Sequence, residues 1–261
     1  MLIVFGLAYS NIEARPGFAL SYAENPAAVA FTEASILLSR IDHVDWQWQT
    51  NRLNLFLPSE AWSMALDVSH EGLDKLPITG LNQDGSFGTT AYFSHQKTAA
   101  LLSLAGTVIS GLWVGTNLKT YSEHVYDQTA KATGFDVGIL WQAVSSLYLG
   151  WSRTDFGGTR QTWSTQKVEI KPAEDFLSAT WTSPEASISY IASPIKPHQV
   201  RGQFHFIDGV WISATAPIND LQNVSLQVDL KVSPLTIRYT TDFSEANNHQ
   251  SQLTWGWSLW E

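Results

Sequence analysis

The sequence predicts an all-β protein, a transmembrane antiparallel up-and-down β-barrel of about fourteen strands. Three observations predict it: apolar residues alternate with polar ones at period two, the connections alternate between short and long, and the composition is rich in aromatics yet poor in charge. From Val224 to Val232 the apolar residues Val224, Leu226, Val228, Leu230 and Val232 alternate with Ser225, Gln227, Asp229 and Lys231. Leu235, Ile237 and Tyr239 alternate with Thr236, Arg238 and Thr240, and the C-terminal stretch sets Leu253, Trp255, Trp257 and Leu259 against Thr254, Gly256 and Ser258. Trp62, Met64, Leu66 and Val68 repeat the pattern, as do Leu147, Leu149 and Trp151. Successive side chains of a strand point to opposite faces, so each segment is a strand with one apolar and one polar face. Helical spacing is sustained nowhere.

The strands predicted in order are 34–42, 48–57, 61–70, 87–106, 110–123, 132–142, 145–155, 174–183, 185–192, 199–206, 209–216, 221–232, 234–243 and 250–260. Connections after even-numbered strands are tight, as at Pro58-Ser59-Glu60, Pro184 and Ser233, whereas those after odd-numbered strands are longer, the longest being 71–86 and 156–173. Splitting the fourth strand at Ser94-His95-Gln96-Lys97 would break this rhythm. Short turns on one side and long loops on the other are the habit of outer-membrane barrels, and an even strand number puts both termini on the short-turn, periplasmic side. Closure also removes the free sheet edge that lipid cannot satisfy. The alternative is a soluble antiparallel sandwich or closed barrel with a hydrophobic interior, which uses the same alternation.

Hydrophobic residues make up 44% of the 261-residue chain and charged residues only 15%, well below the quarter or so usual in soluble domains. Twelve Trp, twelve Phe and eight Tyr suit a lipid–water boundary, where a ring sits half in each phase. No run of about 18 apolar residues exists to form a spanning helix. The apolar run Met1–Tyr9 reads as a signal-peptide remnant over 1–14, with an ordinary buried segment as the alternative. Residues 15–33 then form an N-terminal periplasmic or plug segment, and 34–261 the barrel. Outer-membrane lipid is the first partner this implies.

The formal charge of −9 argues against nucleic-acid binding, which needs a basic surface. Cysteine is absent, which excludes thiol chemistry and Cys-based metal sites. Neither His-Glu-x-x-His nor Gly-x-Ser-x-Gly occurs, so no catalytic, cofactor or metal residue is predicted and the chain is expected not to be an enzyme. Lys119, Asp136, Asp229, Lys231, Arg238 and Asp242 fall in polar registers and are expected to face the lumen, where opposite charges pair across strands. In the two longest connections Leu73, Leu76, Ile78, Leu81 and Trp163 are candidate partner contacts, being apolar for exposed loops; folding over the barrel mouth is the competing expectation.

Several segments resemble the PorV/PorQ family of outer-membrane barrels, which share a fourteen-stranded fold similar to that of FadL. Ala14-Arg15-Pro16-Gly17-Phe18 followed by Glu24-Asn25-Pro26-Ala27-Ala28-Val29-Ala30 is similar to that family's opening, and Gly85-Ser86-Phe87-Gly88-Thr89-Thr90 to its third-loop exit. Gly115-Thr116-Asn117-Leu118-Lys119, then Gly134-Phe135-Asp136-Val137-Gly138-Ile139-Leu140, resembles its paired strands. The segment from Arg15 to Asn25 is shorter than the family usually has, which implies a reduced or missing plug. The resemblance implies an accessory of type IX secretion that binds a translocon component or secreted cargo. A FadL-like transporter of hydrophobic small molecules is the alternative.

Overall fold

The computed structural model describes residues 13–15, 18–43, 48–59, 61–81, 86–220, 223–243 and 250–258. Most of the expected signal remnant lies outside the described residues, as do positions 259–261. Two short strands, β1 (Glu13–Arg15) and β2 (Phe18–Ser21), pair antiparallel and lead into a 3-10 helix, Pro26–Phe31. Everything after it is strand and turn. The strands are β3 (Ser35–His43), β4 (Trp48–Leu57), β5 (Trp62–Leu81), β6 (Phe87–Ile109), β7 (Leu112–Val125), β8 (Gln128–Val144) and β9 (Leu147–Thr154). They continue with β10 (Thr159–Trp163), β11 (Val168–Lys171), β12 (Glu174–Thr182), β13 (Ala186–Ala192), β14 (Gln199–Ile207), β15 (Val210–Pro217), β16 (Val224–Val232), β17 (Leu235–Phe243) and β18 (Gln250–Ser258).

Each wall strand pairs antiparallel with its neighbour in the wall, β18 pairs with β3, and β8 pairs with β9, so the sheet closes on itself. The hairpin β10–β11 grows out of this wall beside the early part of β8, which leaves a closed barrel of fourteen strands. Each predicted strand has its counterpart, and β6 is continuous through Ser94–Lys97. Tight turns close the barrel at one end. At Asp208-Gly209 the glycine has φ of 78°, and a Cβ there would lie 2.4 Å from the Lys231 carbonyl oxygen, so only glycine fits.

The barrel is hydrophilic within. On β18 Trp255 is 43% exposed while its neighbour Thr254 is 3% exposed, and on β16 Leu226, Val228 and Leu230 face outward while Gln227 and Asp229 are buried. Apolar surface outside and polar groups inside is the arrangement a wall facing hydrocarbon requires. Many wall strands, such as β3, β14, β16 and β18, have 9 residues, the length that crosses a bilayer when tilted.

The rim is uneven, and here the structure corrects the sequence reading. Residues 71–81 belong to β5, which runs for 20 residues beside the 23-residue β6. The expected long connection near 124–131 is the two-residue turn Tyr126-Asp127, and 156–173 contains β10 and β11. The wall from β5 to β8 therefore rises above the rest at about 3.3 Å per residue, a raised lip in place of long loops.

Candidate functional site

The site lies in the lumen, where the chain from Tyr22 to Thr32 enters and stays. Asn25 caps the 3-10 helix: its Oδ1 accepts from Ala27 N at 3.0 Å, and Pro26 occupies the first turn, where no N–H is needed. The Asn25 amide nitrogen donates to two wall carbonyls, Ile139 on β8 (3.0 Å) and Trp151 on β9 (3.3 Å), bridging the seam between those strands. Wall glycines make room for it. A Cβ on Gly115 would lie 2.4 Å from Ala27 N, and one on Gly138 would lie 2.2 Å from Asn25 Oδ1. A plug segment is thus present rather than missing, and it is short: residues 22–32 pack against the wall where glycines let backbone approach backbone.

Polar groups anchor the upper part of this segment. Arg201, fully buried on β14, grips the Glu24 carboxylate with both terminal nitrogens at 3.0 Å and donates from Nε to Thr215 Oγ1 at 3.1 Å. Tyr22 donates to Asp67 Oδ2 (3.1 Å), Asp67 pairs with Arg52, and Asn54 donates to the Tyr22 hydroxyl (3.2 Å). The lower part is apolar. Phe31 packs on Trp113 and Tyr148 with ring centroids 4.8 and 5.5 Å apart, and Ala27, Ala28 and Val29 pack with Phe56, Leu101 and Leu140. An apolar collar therefore surrounds the plug inside an otherwise hydrophilic barrel. Lys231 pairs with Glu33 at 2.8 Å where the segment leaves for β3.

Above the Asn25 bridge the seam opens into an irregularity. The last β8–β9 partners are Val137 and Arg153, and pairing resumes between β8 and β10 at Thr133 and Arg160. The chain from Asp155 to Gly158 bulges here through three positive-φ residues, Asp155 at 49°, Gly157 at 80° and Gly158 at 83°. The bulge aims Asp155 into the wall interior. Lys119 Nζ lies 2.6 Å from Asp136 Oδ1 and 2.7 Å from Asp155 Oδ1, Lys171 lies 2.9 Å from Asp155 Oδ2, and Thr159 donates to Asp155 Oδ1 at 2.6 Å. Burial pushes the Asp155 carboxyl up, but the hydrogen bond and charge of Lys119, with Thr159 and Lys171, outweigh it and hold the carboxyl below the usual carboxylate range. Asn117 ties this cluster to the plug, donating to Asp136 Oδ2 (3.1 Å) and to the Tyr22 carbonyl (3.3 Å).

The structure does not gather the predicted lumen residues in one place. Lys119 and Asp136 sit in this cluster, whereas Asp229 and Arg238 form a two-pronged pair of their own at 2.6 and 2.8 Å. Lys231 holds Glu33, and Asp242 shares the register of Arg238 on β17. Of the candidate contacts, Leu73 is buried in the wall, Leu76 and Ile78 are half-buried on β5, Leu81 is exposed at its tip, and Trp163 is half-buried at the end of β10. The sequence reading missed Arg201, Glu24, Arg52, Asp67 and Asp155. Arg201 does alternate with Val200 and Gly202 on a polar register, but its partner lies 177 positions away, which no local pattern announces. Among the described residues no group of three or more His, Asp or Glu side chains is placed to hold a metal.

A solved Pseudomonas aeruginosa FadL homologue matches over 96% of both chains with a TM-score of 0.56 and 11% identity. The fold is FadL-like. The Pseudomonas putida toluene transporter TodX matches this FadL-like barrel over 94% of both chains, with a TM-score of 0.57 and 8% identity. No family model and no curated protein matches the chain in sequence.

Proposed function

We propose that this protein sits in the bacterial outer membrane and admits a small hydrophobic molecule past its N-terminal plug. The observation that carries the reading is the apolar collar of Phe56, Leu101, Leu140, Trp113 and Tyr148 around the plug. A general diffusion pore for polar solutes needs a clear aqueous lumen, whereas a filled lumen with an apolar collar favours molecules that leave water readily. The likeness to a barrel described as a toluene transporter adds to this reading. In uptake assays, cells lacking the protein should take up labelled toluene or long-chain fatty acid more slowly, and the intact chain should restore the rate. Rapid glucose entry into vesicles carrying the protein, without hydrocarbon uptake, would overturn the reading.

A second reading is favoured by the raised lip. Phe87 at its tip is 83% exposed, its cross-strand partner Leu81 is exposed too, and Tyr92 further along β6 likewise, and such apolar surface suits a protein partner. A secreted or translocon partner of the type IX kind would dock there, with Trp163 at the neighbouring hairpin. Deleting 156–173 should leave a barrel that still changes mobility on heating in detergent gels but no longer co-purifies with the partner. Unchanged recovery would count against docking at that hairpin.

A further inference from the structure

A groove of about 570 Å³ runs across the outer wall of β17, β18, β3, β4 and β5. Two adjacent cross-strand rows line it. The lower row is Trp255, Leu38, Leu53 and Val68, each directly opposite the next. The upper row is Tyr239, Leu253, Arg40, Asn51 and His70, likewise in continuous register. On β3, β4 and β5 the upper row is polar, with Arg40 three positions before the end of β3 and Asn51 three positions after the start of β4, so this end of the groove lies near the rim of the wall.

The groove is therefore amphipathic in a defined direction. Its apolar half carries Leu38, Leu53 and Trp255, all outward-facing and at least 40% exposed. At its top an arginine stands beside an asparagine and a histidine, on a chain whose formal charge is −9. His70 Nδ1 is held by Thr98 Oγ1 at 3.0 Å, which fixes the ring and leaves Nε2 as the nitrogen to meet a ligand. A guanidinium suits a phosphate because its fork of donors matches two phosphate oxygens. In a barrel whose band lies in lipid, this height is that of the lipid headgroups, where an arginine keeps its charge in the polar layer and its stem along apolar surface.

We infer that the groove holds one phosphate-bearing membrane lipid, an acyl chain against Leu38, Leu53 and Trp255 and the phosphate on Arg40, with Asn51 and His70 as further donors. This rests on the membrane placement proposed above, and on no part of the transport reading. The test is native mass spectrometry of the full chain in dodecyl maltoside, titrated with palmitoyl-oleoyl phosphatidylglycerol. One adduct should persist through mild activation. Arg40→Gln should weaken it by about tenfold or more, as expected for loss of a charge-assisted contact, and Leu53→Ser should weaken it too. Arg153→Gln, which removes an exposed arginine paired with Asp175 elsewhere on the wall, should leave it intact, and the matching diacylglycerol should not be retained. Equal retention by Arg40→Gln, or equal loss with Arg153→Gln, overturns the lipid site. A chain that stays soluble without detergent overturns the membrane placement instead, and fractionation separates the two failures.

Discussion

Replacing Glu24 by glutamine should loosen the plug, and the structure allows the effect to be sized. The Glu24 carboxylate receives two bonds of 3.0 Å from Arg201, whose side chain is fully buried. Glutamine keeps the shape but removes the charge, so position 24 offers the buried guanidinium one neutral carbonyl oxygen in place of a carboxylate. Breaking one side of a buried ion pair costs about 3–5 kcal/mol. Glu24 is partly open to solvent, at 18% exposure, so the lower end applies, about 3 kcal/mol, or on the order of a hundredfold in the docking equilibrium of the plug. Single-channel recording in planar bilayers reads this directly: the parent should be mostly closed, and Glu24→Gln should show frequent openings. Arg201→Met combined with Glu24→Gln removes the stranded charge and should recover much of the closed time. Indistinguishable traces from the parent and Glu24→Gln would refute the view that this pair holds the plug.

Three further outcomes follow from the same geometry. Gly115→Ala places a methyl group against the Ala27 amide, 2.4 Å away; overpacking of about 1–3 kcal/mol should raise channel activity, whereas Gly202→Ala, whose Cβ would meet only the Phe204 ring at 3.4 Å, should not. Asp155→Asn leaves the buried Lys119 with Asp136 alone, and should cost about 1–3 kcal/mol, seen as faster proteolysis within 159–171. Because the native state lowers the Asp155 carboxyl, its contribution is complete above the ordinary aspartate value of about 4 and disappears as pH falls through the lowered one. Protease protection of the hairpin in an acid-stable assay should therefore hold at pH 5 and above and decline only in stronger acid, a decline that Asp155→Asn should lack.

The wall was legible in the sequence because each strand separates two solvents, so every second side chain declares its face. Val224–Val232 and Leu253–Trp257 are the clearest cases. The raised lip was not legible. Between Glu71 and Leu81 the pairing with β6 shifts register twice, at Leu73/Leu76 and at Ile78/Thr79, and Pro77 and Gly80 in that stretch read as loop residues. Above the apolar band both faces of the lip meet water, so alternation loses its cause. The hairpin β10–β11 was hidden likewise by Gly157-Gly158, which read as loop and serve as the bend. The plug was only half legible. Asn25-Pro26-Ala27 and the glycines at 115 and 138 stood out through family resemblance, but that they touch is a fact of the folded barrel. The pairing of Glu24 with Arg201 left no trace in sequence at all.

The central claim is that this barrel is apolar outside and polar inside. The cysteine-free chain permits single-cysteine spin labels at positions 226 to 230 of β16 in lipid vesicles, with accessibility read by oxygen against a water-soluble nickel complex. Labels at 226, 228 and 230 should meet oxygen and avoid nickel, while 227 and 229 should be shielded from oxygen. The reverse alternation, with 227 and 229 open to nickel and 226, 228 and 230 shielded from both reagents, would contradict the account.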